Sequence, residues 1–113
     1  MMDETYLNIK RESLKAFIKF LQVNKVETVP AIGATETGDI DALWREHKGR
    51  LVEIIFHPDG TAQFVTTSTC IEDGKPMSSV DTLPVDKIMD ELFVRGLSSL
   101  LVVDYTKLNN QEE

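Results

Sequence analysis

The chain has 113 residues, 42% of them apolar and 27% charged, with 12 Lys and Arg against 19 Asp and Glu for a formal net charge of −7. That length suits one domain burying roughly two thirds of the surface its unfolded form exposes, and the composition lies outside the disordered range. The acidic balance disfavours a nucleic-acid backbone as partner, the longest apolar run, Leu100 to Val103, is too short to span a bilayer, and a single Cys excludes an internal disulfide.

The charge is uneven: residues 1–25 hold five basic and three acidic groups, while residues 26–113 hold seven and sixteen. The opening "MMDETYLNIKRES" has no apolar segment of the kind a secretory leader needs. A cytoplasmic protein with no membrane partner is therefore expected, organised as a single α+β domain over residues 1–107 with residues 108–113, "LNNQEE", as a disordered tail.

Leu14, Phe17, Ile18 and Leu21 recur at helical spacing, which predicts an amphipathic helix from about Asn8 to Asn24. Its outer face carries Arg11, Lys15 and Lys19, a basic stripe that reads first as a solvated face and only second as an RNA contact. "VETVPAI", Val26 to Ile32, reads as a short strand, with Pro30 marking an edge or an end. After the loop "GATETG", Asp39 suits the N-cap of a second helix running to Lys48, with Ile40, Leu43, Trp44 and His47 on one side and Gly49 as its stop.

"RLVEIIF" and "TAQFVTT" flank Pro58-Asp59-Gly60, which fits a three-residue hairpin loop with Gly60 at the left-handed position. This loop pairs His57 with Thr61, so partner numbers sum to 118. Val52, Ile54 and Phe56 then share a face with Thr66, Phe64 and Ala62, which a one-residue slip would scatter. Asp73-Gly74 marks a second turn that pairs Lys75 with either Glu72 or Ile71, making "KPMSSV" the third strand of a meander. A third helix is expected from Pro84 to Arg95, stopped by Gly96. "SLLVVDY", Ser99 to Tyr105, is apolar on both faces and reads as a buried strand. The expected fold is α+β, a mainly antiparallel sheet of about five strands containing a three-strand meander and packed by three helices.

The stretch "FHPDGTAQFVTTSTC" holds a His and the only Cys, yet on a straight strand Cys70 lies roughly 30 Å from His57. They form no dyad. The same register carries Cys70 toward Lys48 and so toward His47, the one thiol and imidazole pairing the sequence permits. The Gly-x4-Gly loop before Asp39 has the order of a phosphate-binding loop, but Asp39 and Ile40 stand where Lys and Ser or Thr are needed and Glu36 adds repulsion. The two His and one Cys have no zinc-site spacing. No metal and no cofactor are expected.

The odd-numbered face of the hairpin mixes Leu51, Glu53, Ile55 and His57 with Thr67, Val65, Gln63 and Thr61, as a half-exposed contact surface would. The hydroxyl run Thr66, Thr67, Ser68 and Thr69 borders it, and Glu27, Glu36, Asp39, Asp41 and Glu46 form an acidic segment able to meet a basic partner. These features point to a non-enzymatic protein-interaction module of the inhibitor, antitoxin-like or adaptor kind, as a monomer or a homodimer. Its expected contact residues are Glu36, Asp39, Asp41, Glu53, Ile55, Gln63, Val65 and Thr67. The alternative is a small ligand-binding sensor or enzyme using Cys70 and His47 near a pocket beside Trp44.

Overall fold

The computed structural model describes residues 9–46, 49–69 and 76–102. Helix α1, Arg11–Val23, precedes five strands: β1 Ala31–Ala34, β2 Ile40–Arg45, β3 Leu51–Phe56, β4 Thr61–Thr69 and β5 Pro76–Pro84. A 3-10 turn, Val85–Lys87, leads into helix α2, Ile88–Val94, and a second 3-10 turn follows at Ser98–Leu100. The strands form one sheet in the order β1-β2-β3-β4-β5, each antiparallel to its neighbour.

The β3–β4 hairpin follows its side-chain pattern. Val52 pairs with Thr66 and Ile54 with Phe64, in the register summing to 118. The His57 N–H donates to the Thr61 carbonyl at 2.9 Å, and Gly60 closes the turn at φ +92°. Asp59 Oδ1 accepts from both the N–H and the hydroxyl of Thr61, which lowers the Asp59 pKa.

Residues 39–46 depart from the helix expected to run to Lys48. Ile40–Arg45 is a strand, not a helix capped by Asp39. The segment satisfies both periods, and the alternation of Ile40, Ala42 and Trp44 wins because all three bury against β3 partners Phe56, Ile54 and Val52. The preceding loop is accordingly a hairpin turn: Thr35 N–H donates to the Asp39 carbonyl at 2.9 Å, with Gly38 at φ +88°. The first strand begins after Pro30, at Ala31, rather than at Val26.

Two further corrections concern the C-terminal half. β4 and β5 pair with partner numbers summing to 145, as in Thr61 with Pro84 and Thr69 with Pro76, so neither expected register holds; the turn itself lies outside the described residues. Ser98–Leu100 is a 3-10 turn, and no described part of Ser99 to Tyr105 is a strand. Its apolar character serves burial without pairing, since Leu100, Leu101 and Val102 all join the core. Two α-helices, not three, stand among the described residues. The helix expected over Pro84–Arg95 divides into the 3-10 turn and α2, ending at Gly96 with φ +75° and a Leu97 N–H to Leu92 carbonyl bond of 2.8 Å.

The helices pack on the even-numbered face. Phe17 and Phe20 each meet Phe56 edge-on with centroids 5.4 Å apart, a geometry the aromatic quadrupoles favour. The buried stripe of α1 is Ser13, Phe17 and Phe20, rotated from the expected one, and Leu14 and Ile18 are 39% and 43% exposed. The Ser13 hydroxyl donates to the Phe56 carbonyl and accepts from Ile40 N–H, tying the helix to β2 and β3. Ile88, Met89 and Leu92 of α2 complete the layer. Arg95 fastens it to the β4–β5 side: its guanidinium lies 4.8 Å from the Phe64 ring centroid and donates to Thr66, Ser79, Glu91 and Asp81.

Candidate functional site

Strand alternation sends every second residue of this sheet away from the helices. On that face, which takes odd-numbered residues of β1 to β4 and even-numbered residues of β5, the registers place three rows across the strands. The first is Gly33, Asp41, Ile55, Gln63 and Thr82; the second is Ala31, Leu43, Glu53, Val65 and Val80; the third is Arg45, Leu51, Thr67 and Ser78. Among the described residues no helix packs on these rows: the helical side chains of the core meet the even-numbered positions. Leu43, Leu51, Ile55 and Val65 are half-buried by their neighbours, and Val80 is 59% exposed.

Glu53 occupies the middle of this apolar set. Its direct partners are Leu43 and Val65, and Leu51 and Ile55 flank it along β3. Asp41 and Arg45 are its two diagonal neighbours on β2, Asp41 standing opposite Ile55 and Arg45 opposite Leu51. A hydrogen bond that protonated Glu53 can donate to the Asp41 carboxylate, desolvation and the adjacent negative charge push the Glu53 pKa up to about 7. Glu53 therefore keeps its proton below that value and becomes a carboxylate above it. Arg45 is exposed and makes no ion pair among the described residues. Opposite Asp41, an added Cβ at Gly33 would meet nothing within 4 Å, so the approach to the pair is open on that side.

Six of the eight expected contact residues share this face: Asp41, Glu53, Ile55, Gln63, Val65 and Thr67. Glu36 is exposed in the β1–β2 turn. Asp39 is elsewhere, 5% exposed, with Oδ2 2.9 Å from His57 Nδ1 and Oδ1 3.5 Å from Lys10 Nζ. This cluster joins β2, the β3–β4 turn and the start of α1, and it binds Asp39 internally rather than presenting it to a partner. The hydroxyl run is divided by the same alternation: Thr66 turns to the core and accepts from Arg95, whereas Thr67 lies on the open face 3.1 Å from Ser78 Oγ.

Trp44 lies on β2 inside the core, 2% exposed, with its ring tilted against Phe20 and its Nε1 unpartnered among the described residues. His47 and Cys70 lie outside the described residues. An open cleft of about 340 Å³ runs between α1, the β3–β4 turn and the first 3-10 turn, lined by Ala16, Lys19, Phe20, Val23, Asn24, Gly60, Val85 and Asp86. Trp44 does not line it. No group of three His, Cys, Asp or Glu able to hold a metal occurs among the described residues, and no helix there is long and apolar enough to cross a membrane.

The signal for the open face was the hairpin register, which placed β3 and β4 correctly. Leu43 and Arg45 are not legible as part of this face from the sequence, because the segment after Asp39 also fits helical spacing. The Asp39–His57 pair is hidden for the same reason, since only the β2–β3 register brings the two together. Comparison with protein-family models, curated proteins and solved structures finds no match for this chain.

Proposed function

We propose that this chain is a non-enzymatic protein-interaction module that docks a protein partner on the uncovered face of its sheet, as an inhibitor, antitoxin-like protein or adaptor does. The observation that carries this reading is the placement of Asp41 and Glu53 within Leu43, Leu51, Ile55 and Val65 on a face that no described element covers. Apolar area supplies the affinity of such a surface, and a central charge supplies orientation and partner choice. The chain's net charge of −7 and the exposed Glu36 favour a partner with a basic surface.

The test is affinity capture with the wild-type chain, an Ile55→Lys/Val65→Lys variant and, as control, Asp90→Asn at an exposed position of α2 on the other side of the sheet. We expect a stoichiometric protein that the wild type and the control retain and the face variant loses. Retention by all three, with the variant's fold verified by circular dichroism, would remove the sheet face as the docking surface.

A further inference from the structure

We infer that the occupant of the open sheet face is a second copy of this chain, packed face to face so that Arg45 of each copy pairs with Glu53 of the other. This inference rests on the reading of the face as a docking surface and goes beyond it by naming the partner and the contact that orients it.

The argument begins with self-complementarity. A twofold dimer must meet itself, so a residue on one side of the axis has to complement one on the other. Arg45 and Glu53 are diagonal neighbours on adjacent strands, roughly 7–8 Å apart between Cα atoms. A twofold axis parallel to the sheet, midway between the copies and crossing the Arg45–Glu53 diagonal at a right angle above its midpoint, lays each Arg45 over the Glu53 of the opposite copy. Leu43 and Leu51, the other diagonal of the same four-residue set, then lie close beneath the axis and meet their own counterparts. Ile55 and Val65 extend the apolar contact, while Gln63, Thr67, Ser78 and Thr82 provide a polar rim. Two one-sided sheets thereby become a sandwich, with facing layers about 10 Å apart and their apolar side chains enclosed.

The local charges of this face, as distinct from the chain's net charge of −7, support this occupant. Arg45 has no ion-pair partner among the described residues, and the acidic pair beside it has no cation of its own there. One copy thus offers both halves of the contact on one surface.

The size of the face sets the strength. Five strands at ~4.8 Å spacing and three rows along them give a face about 24 Å by about 20 Å, on the order of 500 Å² per copy. Because the axis lies off the centre of the face, the total buried is at most roughly 1,000 Å², no more than the lower limit for specific association, so the dimer is weak, reversible and dependent on concentration.

Proton linkage follows from the same contact. The titratable and charged groups facing Glu53 are Asp41 and Arg45 on β2; its β4 neighbours Gln63, Val65 and Thr67 carry no charge. In the free chain the proton that Glu53 can donate to Asp41 keeps it largely neutral below its pKa of about 7. Pairing with an arginine favours the carboxylate and releases that proton to solvent. Dimerisation should therefore strengthen as pH rises toward about 7 and level off above it.

Sedimentation equilibrium over a roughly hundredfold concentration range, at several pH values, tests the proposal through charge reversal. Arg45→Glu and Glu53→Arg alone each place like charges across the interface, and each should weaken self-association at least about tenfold. An equimolar mixture of the two variants satisfies both contacts and should recover wild-type association. Glu53→Gln should abolish the pH dependence. A mixture that associates no better than its components, affinity that falls as pH rises, or a wild-type chain that stays monomeric at pH 8 overturns the inference. Capture of another protein that still depends on Ile55 and Val65 would then retain the docking surface with a different occupant, whereas loss of both results ends both readings.

Discussion

Replacing Glu53 with Gln isolates the cost of the central carboxyl. Its pKa rises from 4.5 to about 7 in the folded chain, first through its bond to Asp41 and then through desolvation and the neighbouring charge. The folded state therefore keeps a proton that the unfolded chain has already lost between those values, and stability falls as pH rises through that window. The complete linkage is about 3 kcal/mol, and solvent screening on a half-buried sheet face reduces the expected effect to ~1–2 kcal/mol. Urea titrations from pH 4 to pH 8, at concentrations where the chain is monomeric, measure this as the difference between wild type and Glu53→Gln. The variant, which retains a hydrogen-bonding side chain beside Asp41, should match the wild type's pH-dependent offset near pH 4 and gain ~1–2 kcal/mol relative to it by pH 8. Thermal midpoints should separate by roughly 4–8 °C per kcal/mol. Taking the difference removes the carboxylates common to both proteins. Parallel stability profiles, or a Glu53 carboxyl resonance titrating near its ordinary value, would refute the proton held by Glu53.

Two further substitutions test how the face is held. Ser13→Ala removes a buried hydroxyl that serves the Phe56 carbonyl and the Ile40 N–H and should cost about 1–3 kcal/mol in denaturant titration; a loss within error would show that the two backbone groups pair without it. At Gly60, with φ +92° and nothing within 4 Å of an added Cβ, the cost of substitution is conformational. Gly60→Ala should therefore destabilise by about 1 kcal/mol and Gly60→Asn by less, because Asn tolerates positive φ better, and equal losses would contradict that explanation.

The fold was legible in the sequence wherever periodicity and turn chemistry agreed. Between Leu51 and Thr67 both specify one register, since Pro58-Asp59-Gly60 sets the loop and the apolar residues fall on one face only in that alignment. Between Asp39 and Arg45 they compete. Ile40, Leu43 and Trp44 fit a helix, Ile40, Ala42 and Trp44 fit a strand, and the decision comes from pairing with β3, which local sequence does not encode. Leu100 to Val102 erred in the opposite direction, because apolarity on every side records burial without specifying a strand. The expected count of about five strands thus coincided with five observed strands while differing in their membership.

That substitution of one strand for another matters most for the open face. With β2 in the sheet, Asp41 lies beside Glu53 and Arg45 occupies the other diagonal, so three charges converge where a helix would have dispersed them. Under the proposed assembly the carboxyl acts with opposite sign on two equilibria. Raising the pH destabilises the monomer by drawing the proton from Glu53, and the carboxylate so formed is the species that Arg45 of a second copy stabilises. The dimer should recover part of the monomer's loss. Wild-type stability should consequently depend less on pH at high protein concentration than at low, whereas Glu53→Gln should show no such difference, because mass action couples assembly to folding only through the group that titrates. A pH dependence unchanged by concentration would separate the two equilibria and assign Glu53 to the monomer alone.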